Sequence, residues 1–151
     1  MTAEELQRAH LTDPRADLVT GRIIARLDAY LERNPLGRLF TAGPGFTPTI
    51  SFIKRERLPD PPPATAPDLV PDLMVDVLTP DQRPKEILAR ITDWLRAGTD
   101  VVWVFEPQRS VARIYRREGT EEFIAAEGAM RGEELLPGLS FPLTEVFPPG
   151  S

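Results

Sequence analysis

The chain has 151 residues, a formal net charge of -5, no cysteine and one histidine. A chain of this size suits one domain with one core, and the missing thiols exclude disulfides, thiolate zinc centres and cysteine nucleophiles. The acidic balance gives no general attraction to a nucleic-acid backbone, so DNA would have to meet a local basic patch. With His10 as the sole imidazole, near the start of the chain, histidine-based metal or triad chemistry is disfavoured. No apolar run approaches the ~20 residues that cross a bilayer, and the opening MTAEELQRAHLTDP does not read as a signal peptide, which predicts a cytoplasmic protein with no membrane contact.

Residues 1–12 read as a flexible leader. Asp13 and Pro14 then predict a helix start, with the Asp as cap and the Pro at the first helical position. Val19, Ile23, Leu27, Tyr30 and Leu31 recur at spacings of three and four, and Asn34, Pro35 and Gly37 stop the helix. GRLFTAG (37–43) and PTISFI (48–53) predict neighbouring strands around Gly43, Pro44 and Gly45. PDPPPATAPD (59–68) reads as a stiff surface loop within the domain.

LMVDVL (73–78) is almost wholly apolar, as a central strand covered on both faces would be. A helix follows with Ile87, Leu88, Ile91, Trp94 and Leu95 on one face, and Gly98 fits the position just past its end. VVWVF (101–105) is a second buried strand. Strand, helix and strand in succession predict a parallel pair. SVARIYR and EEFIAA add two strands, and ELLPGLSFPLTEVF has no clear period, predicting an irregular apolar strap or short helix. Residues 148–151 form a tail. The sum is an α/β single domain, with a mixed central sheet of five or six strands flanked by helices.

Asp76 stands out, because a carboxylate inside a sheet is costly unless something compensates for it. Arg90 lies on the border of the apolar helix face, close to the directions of Ile87 and Trp94, and could aim its guanidinium at Asp76. That contact would be either a structural ion pair or part of a phosphodiesterase site. Asp72 and Glu106, at strand ends, are further candidate acids against the reading of caps or solvated groups. Lys54 and Arg83 could touch phosphates. Arg109, Arg113, Arg116 and Arg117 form a second basic group near Tyr115 and Trp103.

PDLMVDVLTP, WLRAGTDVVWVFEP and LLPGLSFPLTEVF, with GRIIARLDAYLERNPLGRLF and PTISFIKRERLP before them, resemble in order and spacing the Uma-type restriction endonucleases of the PD-(D/E)xK nuclease superfamily. The likeness runs from about residue 17 to residue 147. It implies a restriction-endonuclease-like fold, Mg²⁺-dependent cleavage of a DNA phosphodiester, and a possible homodimer. The residue implied for the first metal acid follows Pro48 and is Thr49; the second acid corresponds to Asp76 and the lysine to Arg90. A hydroxyl supplies no charge to Mg²⁺, Asp withdraws the carboxylate by about 1.5 Å relative to Glu, and an arginine would pair bidentately with Asp76. The implied protein is a nuclease fold with weakened or lost activity, in which Asp72 or Glu106 could act as a substitute metal acid; the alternative is a non-catalytic binding or assembly module.

Overall fold

The computed structural model of the protein describes residues 13–44, 46 and 48–149. His10 and the leader expected to be flexible therefore lie outside the described residues, as do the last two residues of the tail. Helix α1 (Pro14–Arg33) starts as its sequence dictates: the Asp13 carboxylate accepts the Ala16 N–H at 3.1 Å, and Pro14 occupies the first turn. Its stripe of Ala16, Val19, Ile23 and Leu27 is fully buried.

Six strands follow: β1 (Gly37–Thr41), β2 (Ile50–Lys54), β3 (Leu73–Val77), β4 (Val101–Glu106), β5 (Val111–Arg116) and β6 (Glu121–Ile124). They lie side by side in chain order. Only β3 and β4 are parallel, joined through helix α2 (Pro84–Ala97). Gly98 ends α2 at φ 124°, donating its N–H back to the carbonyls of Trp94 and Leu95.

Every residue of β3 is buried because the sheet is covered on both sides. Leu73, Val75 and Val77 face α1, in one core with Trp103, Phe105, Ala112 and Ile114. Met74 and Leu78 face α2, in a smaller cluster with Ile87, Ile91, Val102 and Val104. Side-chain alternation then puts Asp76 on the α2 side, between Met74 and Leu78.

The closing segment at 134–147 is mostly irregular with a short 3-10 helix at Leu143–Glu145, and it also carries a three-residue strand, β8 (Ser140–Pro142), which pairs with β7 (Ala129–Arg131) just before the segment as a separate antiparallel sheet. The intervening bend leaves no room for a side chain at Gly132, where a Cβ would sit 2.2 Å from the Leu136 carbonyl oxygen. This unit seals the α1 side of the core. Phe141 meets Trp103 edge-on at 6.2 Å between ring centroids, and Phe147 meets Phe105 at the same separation. From the other side, the Tyr30 hydroxyl of α1 donates to the Pro137 carbonyl at 2.6 Å. Among the described residues, no helix is long and apolar enough to cross a membrane.

Removing the Phe141 ring would leave a cavity beside Trp103. Phe141→Ala should cost about 3–5 kcal/mol in urea unfolding, whereas Leu88→Ala, at a side chain in a residue 46% exposed, should stay within about 0.5 kcal/mol. Equal effects would mean that the small sheet is not part of the core.

Candidate functional site

The sheet register lines up one row across the α2 side. Asp76 pairs with Val104, Val104 with Arg113, and Arg113 with Phe123. On the other flank of Asp76 stands Thr49, immediately before Ile50, whose partner is Val75. The row therefore runs Thr49, Asp76, Val104, Arg113, Phe123, with Glu106 two residues beyond Val104 on the same face.

Asp76 is buried, with 1% of its surface exposed. Its Oδ1 accepts the Thr49 backbone N–H at 3.4 Å, and its Oδ2 is buried with no hydrogen-bond partner among the described residues. Loss of hydration dominates and pushes the carboxyl up to about 7; the Thr49 N–H and the positive charge of Arg90 pull in the opposite direction. The bidentate pairing expected between Arg90 and Asp76 is thus not formed. Arg90 is an exposed residue on α2, and it acts on Asp76 as a charge through space rather than as a fork closed on both oxygens. One charge at that range does not restore what a full hydration shell provides.

Thr49 is fully buried and its hydroxyl is already committed. It donates to the Phe46 carbonyl at 2.9 Å and accepts the Val77 N–H at 3.1 Å. The side chain therefore extends the β2–β3 ladder by one rung where the backbone carbonyl pattern has run out. The sequence resemblance singled out this position, and the structure puts it directly beside Asp76.

The remaining candidates are spread over the molecule. Asp72 precedes β3, about 13 Å along the strand from Asp76 at the usual rise per residue. Its carboxylate accepts the Lys54 backbone N–H at 2.8 Å and the Arg57 guanidinium at 2.9 Å, clasping the turn after β2. Glu106, 8% exposed, is held by Arg113 through a direct hydrogen bond and by Arg109 at 3.6 Å. Lys54 belongs to the opposite end of the sheet, where its side chain lines a cavity of about 710 Å³ with Asp100, Arg117 and Glu134. Arg83 is the exposed N-cap of α2 and makes no side-chain cap bond there. Lys54 and Arg83 therefore share no surface. The pairing of Glu106 with Arg113 had no signal in the linear sequence, because it depends on the β4–β5 register.

These donors do not suit a divalent cation. Mg²⁺ requires hard oxygen ligands in a near-octahedral shell. Here the row offers one carboxyl that burial favours as neutral, beside a hydroxyl whose proton and one lone pair are in use. Glu106 is neutralised by two arginines, and among the described residues no three Asp, Glu or His side chains converge as a metal site.

The sequence matches the Uma2 family, described as "Putative restriction endonuclease", over residues 3–144. The fold is similar to that of a solved protein described as "a putative nuclease belonging to DUF820" from Anabaena variabilis ATCC 29413, with a TM-score of 0.77 and 17% identity, covering 91% of this chain and 82% of that one. No curated protein matches. With nearly its whole length matched, this chain belongs to the Uma2 restriction-endonuclease family and has the fold of a nuclease-like α/β domain.

Proposed function

We propose that the protein is a nuclease-like family member whose phosphodiesterase centre has lost its divalent-metal chemistry, and that it works as a binding or assembly module on that scaffold. The observation that carries this reading is the Thr49–Asp76 contact. At the position where the family likeness calls for an anion, a buried hydroxyl completes the backbone ladder, and the remaining acid keeps an oxygen without a hydrogen-bond partner among the described residues. Mg²⁺ is commonly held through one or two ionised carboxylates, and burial opposes ionisation of the one present here. The substitutes considered, Asp72 and Glu106, are buried carboxylates engaged by Arg57, Arg113 and Arg109, and using either as a metal ligand would compete with those guanidinium partners.

Arg90 fits the same reading. A lysine amine at its place could share or release a proton, whereas a guanidinium keeps its charge at every accessible pH. It can steady developing negative charge but cannot act as a base. Family membership makes DNA the first ligand class to consider, and a homodimer is a further possibility for the assembled form.

Supercoiled plasmid incubated with the protein and Mg²⁺ or Mn²⁺ should be nicked no faster than with Asp76→Ala. Nicking that depends on Asp76 would overturn the proposal. The double variant Thr49→Asp with Arg90→Lys should gain Mn²⁺ binding measurable by calorimetry where the unmodified chain shows none, because it supplies a second carboxylate and replaces the guanidinium with an amine that can release its proton.

The acid also predicts a pH response in metal-free protein. Its folded value of about 7 lies above the ordinary 3.8, so the stability linked to this group is complete below pH 3.8 and is lost as pH rises through about 7. The loss amounts to up to ~4 kcal/mol. Asp76→Asn cannot ionise. Thermal unfolding with chelator should show the variant gaining on the unmodified protein between pH 4 and 8; parallel pH profiles would show that Asp76 is not held in this way.

A further inference from the structure

Helix α2 buries its apolar face against β3 and β4, and among the described residues no helix packs on the β5–β6 hairpin beside it on that side. There Phe123 is 51% exposed and Tyr115 is half-buried. A groove of about 310 Å³ runs between α2 and the hairpin, lined by Leu88, Leu95, Arg96, Tyr115, Arg117 and Glu121. The Arg113 guanidinium lies over the Phe123 ring, 5.4 Å from its centroid.

Along β5 the residues facing this side alternate charge and aromatic ring: Arg113, Tyr115, then Arg117 just past the strand. Like-facing residues on a strand are roughly 7 Å apart, a span that one nucleotide of an extended strand can bridge. Arg109 extends the run at one end, with a side chain 60% exposed, and Arg96 lies across the groove at the other. Asp100, 3.7 Å from Arg117, together with Glu106 and Glu121, offsets part of this charge. The groove lining itself carries Arg96, Arg116 and Arg117 against Glu121, with Arg116 also paired to Glu122 and Glu133, on a chain of net charge -5.

We infer that this β5–β6 face and its groove bind single-stranded nucleic acid, with Phe123 and Tyr115 stacking bases and Arg96 and Arg117 meeting phosphates. Aromatic platforms set among cations hold single strands without needing base-edge readout, each stacked base contributing about 1–3 kcal/mol. A duplex keeps its base faces inside and has nothing to lay on Phe123. A second copy docked about a two-fold axis would set the same arginines against one another, which the charge disfavours. The site uses neither Asp76 nor a metal, so it stands apart from the reading of the hydrolytic centre.

The test is fluorescence anisotropy with a short fluorescein-labelled oligothymidine and a labelled DNA duplex, in EDTA, where nuclease activity cannot intervene. Saturable binding that prefers the single strand is expected, weakened at least about fivefold by Phe123→Ala and also by Arg117→Glu, with Leu18→Ala on the far side of the sheet as the neutral control. No saturable binding, equal affinity for the duplex, or binding indifferent to Phe123→Ala would overturn the inference. So would sedimentation showing a dimer that Phe123→Ala splits into monomers, since the face would then be a self-association surface. Plasmid nicking decides the hydrolytic centre alone and leaves this result untouched.

Discussion

A carboxyl group placed inside an apolar strand sets the terms for everything around it. Asp76 is fixed by its position in β3, between Met74 and Leu78 on the layer that α2 covers. Three outcomes are physically available to such a group: a cation closes on it, a bound metal neutralises it, or it keeps its proton. Burial favours the third below a pH of about 7. Thr49 offers one long backbone hydrogen bond, and Arg90 contributes charge at range. This end of the sheet thus holds a buried carboxyl whose ionisation is opposed by loss of hydration.

The arginines nearby follow the same economy. Arg113 and Arg109 gather on Glu106, Arg57 on Asp72, and Arg116 on Glu122 and Glu133. Asp72, Glu106 and Glu122 therefore each have a guanidinium partner, while Asp76 feels Arg90 through its charge. That distribution makes the carboxylates structural. It keeps strand ends and hairpins in register, and it withdraws them from service as ligands to anything that might arrive.

Much of the fold could be read from the chain because its middle elements are locally consistent. Asp13 and Pro14 announce α1, LMVDV and VVWVF are apolar enough to be central strands, and Gly98 closes α2. The β7–β8 sheet was missed because three-residue strands show no period, and Pro137, Gly138 and Pro142 interrupt what alternation there is. At the site, burial of Asp76 was legible from its apolar neighbours, and Thr49 from the family likeness. The absent bidentate pair was not, since a helix wheel gives the direction of Arg90 but not the reach of its side chain. The ion pair of Glu106 with Arg113 required a cross-strand register that only the folded molecule supplies.

Arg116 joins parts of the molecule that belong to different sheets. Its guanidinium donates to Glu122 of β6 at 2.8 Å and to Glu133, just after β7, at 2.8 and 2.9 Å, and these bonds raise its already high affinity for the proton. Lifting the C-terminal flap away from the main sheet would break charge-assisted bonds on both sides of one side chain. The flap and the outer hairpin should accordingly open together, exchanging their amide hydrogens as one cooperative unit rather than fraying from the end of the chain inward.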